Sequence, residues 1–293
     1  AMTGQMLSGV EEIILKEKPD YVLVYGDTNS TIAGALAAKK LLVKVVHVEA
    51  GLRSFNMAMP EEINRILTDR ISDLLCCPTE AAIKNLANEG FGTFPSTIVK
   101  TGDVMQDAAN YYASRVDVAS ELEKLSLQKD KFLLCTLHRA ETTDNPERLV
   151  NVLSALKEIA DKYIDVVIPL HPRTKAKLHA IELGKIKVIE PVGYLTMIAL
   201  LKACKLVMTD SGGLQKEAYF FNKFCITLRD ETEWVELVEN GCNYIAGYDP
   251  KTILEFFVQL KDKPWSSTGE LYGGGFACNQ IMDAIEAHFN EQE

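Results

Sequence analysis

The apolar positions of this chain alternate between two textures. Short β-branched runs are separated by longer stretches in which apolar residues recur every three or four positions, the mark of a parallel α/β architecture. Tyr21-Val22-Leu23-Val24-Tyr25 predicts a buried strand ended by Gly26-Asp27, and Lys44-Val45-Val46-His47-Val48 predicts a second, with Glu49 at its carboxyl end. The Ala-rich stretch from Thr31 to Leu41 predicts a helix between them. Pro60-Glu61-Glu62 opens another helix, since proline is tolerated in a first turn and carboxylates suit the positive end of the dipole. That helix carries Asn64 and Arg65 and runs to Ile71. Leu74 to Cys77, stopped by Pro78, and Thr97 to Lys100 read as two further strands.

From Ala108 to Lys131 the chain is charged and helical, without a strand pattern, and reads as a link between two lobes. A second strand-helix series follows: strands at Phe132–Thr136, Val166–Leu170, Lys187–Ile189, Lys205–Met208 and Phe224–Leu228, with helices at Pro146–Tyr163, after Pro172, at Leu195–Ala203 and after Gly212. The expected domains are a partial N-terminal Rossmann-like lobe over 1–122 and a C-terminal, nucleotide-binding one over 123–293. The last helix is expected to pack back on the first lobe. The first lobe is short of the roughly six strands of a complete doubly wound domain.

Composition narrows the function. A length of 293 residues with 47% hydrophobic and 25% charged content is that of a globular protein of about two domains. A net charge of −10 argues against general nucleic-acid binding. No apolar run approaches the roughly 18 residues of a membrane span, and no signal peptide is recognisable. The seven cysteines lie mostly in apolar stretches without paired spacing, which predicts reduced core thiols and a cytoplasmic protein. Gly-x-Gly-x-x-Gly and Walker loops are absent, so no bound dinucleotide cofactor is expected, and the spacing of His171 and His179 reads as coincidence rather than a metal site.

The richest stretch is Thr209-Asp210-Ser211-Gly212-Gly213-Leu214-Gln215-Lys216-Glu217, after the apolar run Leu206-Val207-Met208. A strand ending in Asp-Ser-Gly-Gly before a helix presents backbone N–H groups that attract phosphate. Glu217, one turn inside that helix, is placed to accept hydrogen bonds from a sugar hydroxyl pair. Diphosphate plus ribose outlines a nucleotide sugar; the plainer reading is an ordinary strand-to-helix turn.

Ligands of parallel sheets gather beyond the carboxyl ends of the strands. Asp27, Glu49, His138 and Ser211 fall at such ends, with Glu61 and Arg65 just beyond. Paired carboxylates with a histidine suit acid-base work or the stabilisation of a developing positive charge. Each has a plainer reading: Asp27 as a helix cap, His138 as a surface histidine, Glu61 as a helix-start carboxylate. Arg229 is a candidate for phosphate or carboxylate, and Arg173, after His171-Pro172, is either another or part of a helix start.

Five ordered motifs then carry a resemblance: Gly26-Asp27-Thr28, His47-Val48-Glu49-Ala50-Gly51-Leu52-Arg53, Pro60-Glu61-Glu62-Ile63-Asn64-Arg65, Thr136-Leu137-His138-Arg139-Ala140-Glu141, and Thr209 through Glu217. From near residue 2 to about residue 240 the chain resembles non-hydrolysing UDP-N-acetylglucosamine 2-epimerases. The resemblance implies an α/β fold of two Rossmann-like lobes of GT-B type with the site in the cleft, no cofactor, a UDP-N-acetylhexosamine substrate and a homodimer. It implies elimination of UDP to 2-acetamidoglucal and re-addition with inversion at C2. Asp27, Glu49, Glu61 and His138 match the family's catalytic positions. Arg65, Arg139, Ser211, Gly212, Gly213, Glu217 and Arg229 are the implied substrate-binding set.

Three departures qualify it. Family members begin with a strand leading to Gly-x-Arg-Pro-x-x-x-Lys, whereas Met2-Thr3-Gly4-Gln5-Met6 resembles the family well inside its first lobe, so an N-terminally truncated chain is expected. His171-Pro172-Arg173-Thr174 differs from the His-x-Asn-Pro of members regulated by their own substrate, so that allosteric site is not expected. Thr232-Glu233-Trp234 replaces Thr-Glu-Arg, which leaves a diacetamido uronic acid sugar open as substrate. A GT-B glycosyltransferase, a hydrolysing 2-epimerase and a UDP-binding fragment without turnover are the alternatives.

Overall fold

The computed structural model describes residues 2–170 and 182–290. The chain forms two compact units, one of residues 1–107 and 270–293, the other of residues 108–269. In the first, strands β1 (Tyr21–Tyr25), β2 (Lys44–Val48), β3 (Leu74–Cys77) and β4 (Thr97–Lys100) pair in that order, all parallel. Helices α1 (Met2–Glu17), α2 (Asn29–Lys40), α3 (Pro60–Ile71) and α4 (Glu80–Asn88) alternate with them.

Successive strand side chains point to opposite faces, and β2 shows it. Val45 packs with Val24, Ala35 and Ala38 under α2 and Ile14 of α1. Val46 and Val48 point the other way, onto Leu74, Cys76 and Ile281. Small alanines let α2 lie close to the sheet, and its start is a capping box between Thr28 and Thr31. Ile281 belongs to the last helix (Ala277–Asn290), whose His288 Nδ1 lies 3.0 Å from the Tyr21 hydroxyl of β1.

The second unit holds strands β5 (Phe132–Thr136), β6 (Asp165–Pro169), β7 (Lys187–Ile189), β8 (Leu206–Thr209), β9 (Cys225–Thr227) and β10 (Asn243–Ile245). Their order, β10-β9-β8-β5-β6-β7, is parallel throughout and reverses direction at β5/β8. Such a reversal opens a crevice at the carboxyl ends of the two strands, where doubly wound sheets take their ligands. Helices α5 (Val104–Ala113) and α6 (Val118–Lys124) precede this sheet, and α7 (Ala140–Thr143) and α8 (Pro146–Lys162) follow β5. Further on come α9 (Tyr194–Ala203), α10 (Gly212–Phe220), α11 (Val235–Glu239), α12 (Pro250–Leu260) and, in the first unit, α13, the last helix. One face of the sheet buries Leu133, Met208 and Ile226 against Leu153, Leu156 and Phe257, the other Leu134 and Val207 against Leu200 and Leu214.

The compact units part at 107/108, not at 122/123. Leu122 of α6 is buried in the core of the second sheet, and Glu121 accepts the Thr196 hydroxyl of α9 at 2.6 Å, so α6 belongs there. Among the described residues no helix is long and apolar enough to cross a membrane. Six cysteines are buried and Cys278 is exposed, all as thiols. Burial pushes the Cys76, Cys204 and Cys225 thiols up to about 12, so these are packing groups, not nucleophiles. His171, Arg173, His179 and the helix expected after Pro172 lie outside the described residues.

Candidate active site

In the first unit the candidate carboxylates stand at neighbouring strand ends, for Tyr25 and Val48 are register partners. Asp27 does not cap α2; Thr28 does. The Asp27 carboxylate instead pairs with the Arg65 guanidinium of α3, and Asn64 donates to the Asp27 carbonyl at 2.9 Å. Arg65 is buried and its second nitrogen donates to Glu62 Oε2 at 2.8 Å. Glu62 in turn accepts the Ser54 N–H and hydroxyl at 2.9 Å each and the Phe55 N–H at 2.8 Å. Burial works to raise the Glu62 carboxyl, but these three donors and Arg65 outweigh it and hold the group below its ordinary value. Glu61, one residue earlier in the first turn of α3, is exposed.

Glu49 follows β2 with φ +70°, a left-handed conformation unfavourable for a residue with a Cβ. Its Oε2 lies 3.4 Å from where a Cβ on Gly26 would stand, so its carboxylate overlies the residue before Asp27. Two residues on, Gly51 at φ +80° leaves no room for a side chain, since a Cβ would meet the Ala82 carbonyl oxygen at 2.5 Å. Beneath these turns His47 and Asp69 are wholly buried. His47 Nδ1 is 2.6 Å from Asp69 Oδ1 and Nε2 is 2.8 Å from the Gly26 carbonyl. Asp69 also accepts the Gly51 N–H at 3.1 Å and Arg53 Nη1 at 2.6 Å, and Arg53 forks onto Glu89 at 2.6 and 2.8 Å.

In the second unit the candidate groups ring the β5/β8 switch point. His138 follows β5; its side chain is 61% exposed and its Nδ1 lies 3.1 Å from Asp210 Oδ1. Asp210, fully buried at the end of β8, also accepts the backbone N–H groups of His138 and Arg139 at 3.0 Å each. With Nδ1 facing this carboxylate, the other ring nitrogen is left for a ligand. The Ser211 hydroxyl caps α10 and its N–H donates to Thr209 Oγ1 at 2.9 Å. Gly212 and Gly213 open the helix, where N–H groups have no carbonyl in the preceding turn to bond. Glu217, in the same helix, is buried. Burial raises its carboxyl above the ordinary value, although the Tyr194 hydroxyl and Lys216 work the other way.

Arg229, just past β9, donates to Glu233 at 2.9 and 3.4 Å, and Arg139 reaches the same carboxylate at 3.8 Å. Burial opposes ionisation of Glu233, but Arg229 and Arg139 prevail and its carboxyl stays low. Trp234 donates from Nε1 to the Gly212 carbonyl at 2.9 Å, and Lys216 Nζ stands 4.2 Å above its ring. Sequence reasoning passed over Asp69, Glu62, Glu233 and Tyr194; the one hint was that Glu62 and Asp69 share a helical face with Arg65. Among the described residues no His, Cys, Asp and Glu group could hold a metal ion.

Comparison with known proteins bears on this arrangement. The sequence profile of the family described as UDP-N-acetylglucosamine 2-epimerase matches residues 1–286. The chain is 55% identical over 285 residues to the UDP-2,3-diacetamido-2,3-dideoxy-D-glucuronate 2-epimerase of Pseudomonas aeruginosa, covering 97% of this chain and 79% of that one. It is 46% identical to the UDP-N-acetylglucosamine 2-epimerase of Methanocaldococcus jannaschii over 96% of this chain and 79% of the relative. The crystal structure of the Methanocaldococcus jannaschii enzyme in complex with UDP-GlcNAc and UDP superposes with a TM-score of 0.83 at 42% identity, covering 97% of this chain and 80% of that one. The Neisseria meningitidis enzyme bound to UDP-GlcNAc gives a TM-score of 0.85 at 30% identity, over 98% of this chain and 81% of that one. The fold is thus the α/β, GT-B-like class of those enzymes. Parallel sheets, carboxylates at neighbouring strand ends and these similarities lead to one conclusion: the chain belongs to the non-hydrolysing UDP-N-acetylglucosamine 2-epimerase family and is an enzyme of that family.

Proposed function

We propose that this enzyme inverts C2 of UDP-N-acetylglucosamine to give UDP-N-acetylmannosamine, by elimination and re-addition of UDP. One carboxylate takes the C2 proton; the C–H electron pair becomes the C1=C2 double bond of 2-acetamidoglucal, and the C1–O pair departs with UDP. In the return step a UDP oxygen bonds C1 while C2 takes a proton on its opposite face. The observation that carries this reading is the placement of Asp27 and Glu49 at the ends of register-paired strands, with Glu61 opening α3 nearby in sequence. C1–O cleavage develops oxocarbenium character, which such carboxylates stabilise.

The second unit is assigned the nucleotide. Gly212 and Gly213 at the N-terminus of α10 suit the diphosphate, with His138 as donor to the departing oxygens. Glu217 suits the ribose hydroxyls, and Arg139 and Arg229, tethered by Glu233, suit the remaining charge. A second reading keeps the chemistry and changes the sugar to UDP-2,3-diacetamido-2,3-dideoxy-D-glucuronate. It is favoured by the 55% identity to an enzyme of that name and by Trp234 at the position of the family arginine.

Proton NMR in deuterated water tests both. Deuterium entering C2 of UDP-N-acetylglucosamine with the manno epimer accumulating supports the first reading. Exchange confined to the diacetamido uronate supports the second, and exchange in neither sugar overturns both.

A further inference from the structure

We infer that Asp69 is a positioning residue for the reaction, bracing the Asp27 and Glu49 carboxylates against one another through His47 and Gly51. The inference rests on the carboxylate roles proposed above. Asp69 reaches the turn after β1 through His47, whose Nε2 meets the Gly26 carbonyl at 2.8 Å, one residue before Asp27. The ring stands between the Asp69 carboxylate at Nδ1 and the Gly26 carbonyl at Nε2 and so links the two. The turn after β2 is held directly, by the Gly51 N–H on Asp69 Oδ2 at 3.1 Å. Glu49 lies between His47 and Gly51 at φ +70°, so a strained residue is bracketed on both sides by bonds to one carboxylate. Such a conformation persists only where its surroundings over-determine it.

The same helix sets the side chains. Arg65 of α3 pairs with the Asp27 carboxylate, and Asp69 lies one turn further along. Arg53 adds a third bond to Asp69 and is pinned by Glu89, which keeps the brace from turning. One rigid helix thereby fixes the Asp27 head group, the Asp27 backbone and the Glu49 backbone. Asp69 and His47 are wholly buried, so they act on the reaction through the residues they hold.

The test compares the wild-type protein, Asp69→Asn and His47→Asn in C2 exchange and in backbone amide NMR spectra. Asn at 69 keeps the shape but turns an N–H₂ toward a donor; Asn at 47 keeps a donor toward Asp69 and loses the Gly26 bond. Positioning predicts kcat down about 10²-fold with KM within about threefold, because the proposed nucleotide contacts lie in the second unit. It also predicts displaced amide resonances for Gly26, Asp27 and Glu49. An active wild type with either folded variant keeping kcat within about threefold overturns the inference. A wild type that exchanges no C2 proton in either sugar overturns the function proposed above, and the amide spectra then decide alone: resonances unmoved in the variants overturn the brace, and resonances displaced at those three residues support it. If Asp69→Asn does not fold, His47→Asn is read by the same criteria.

Discussion

Asp210 Oδ1 lies 3.1 Å from His138 Nδ1, and the same buried carboxylate receives the Arg139 N–H at 3.0 Å. One group thus sets the histidine backbone, its ring orientation and the course of the chain into α7. Asp210→Asn replaces the carboxylate facing Nδ1 by a neutral amide that can turn either its oxygen or its N–H₂ to the ring, so the charged partner that fixes the imidazole is lost. The expected result is a loss of kcat of about 10²-fold or more, measured by steady-state epimerisation. Unfolding in urea should show a loss of about 1–3 kcal/mol, since one buried donor is left without its partner.

Glu62 predicts a pH dependence of stability. Its carboxyl is held below the ordinary 4.5, burial being outweighed by the Ser54 and Phe55 donors and Arg65. With the folded-state value depressed, the stabilisation is present above about pH 4.5 and is lost as pH falls through the lowered value. Glu62→Gln should cost about 1.5–3 kcal/mol at pH 7 and flatten the fall in melting temperature between neutral pH and pH 3. Parallel acid limbs for the two proteins would refute this.

Glu217 has the opposite sign. Burial raises its carboxyl, so in the unliganded protein its stabilising contribution is present below pH 4.5 and lost as pH rises through the raised value. Near neutral pH the ionised group is a cost that two ribose hydroxyls would repay. Glu217→Gln should therefore leave the unliganded melting temperature at pH 7 equal or higher while weakening UDP about 10- to 100-fold. Thermal shift with and without UDP reads both. A lower unliganded melting temperature with unchanged UDP affinity would contradict the assignment.

How much of this was readable from the sequence follows from the range of each interaction. The strands at Leu74 and Phe132 are the apolar runs that buried parallel strands require, and β2 buries its His47 among valines. Strand β1 reads as buried from its sequence but lies at the sheet edge with Leu23 and Tyr25 exposed and only Val24 buried; the strand ends nevertheless placed Asp27, Glu49 and His138. Strand β10 is three residues, Asn243-Tyr244-Ile245, at a sheet edge, too short for any periodicity. Asp27 read equally well as a cap because its partner Arg65 lies 38 residues away, and local sequence gives no account of such a pair. Asp69 and Glu233 escaped for a related reason: each sits among ordinary helical or loop polar residues, and only the fold brings it two or more cations or donors. The first unit's boundary was misjudged because α6 carries one buried anchor, Leu122, in an otherwise charged segment.

Two glycines separate backbone need from ligand need. At Gly51 a Cβ would stand 2.5 Å from the Ala82 carbonyl oxygen on a backbone with φ +80°, so neither the space nor the conformation admits alanine. Gly51→Ala should cost about 3 kcal/mol or more, read by chemical denaturation, and should displace Glu49 with it. At Gly212 the nearest atoms to an added Cβ are 3.7–3.8 Å away, ordinary contact distance. Gly212→Ala should therefore change stability by no more than about 1 kcal/mol. Its amide opens α10 where the diphosphate is proposed to sit, and a methyl group there obstructs the approach of phosphate oxygens to the helix end. UDP affinity, measured by calorimetry, should fall about tenfold or more. A Gly212→Ala protein that binds UDP as tightly as wild type would remove the helix terminus from the nucleotide site, whereas loss of binding with stability intact ties this glycine to the ligand.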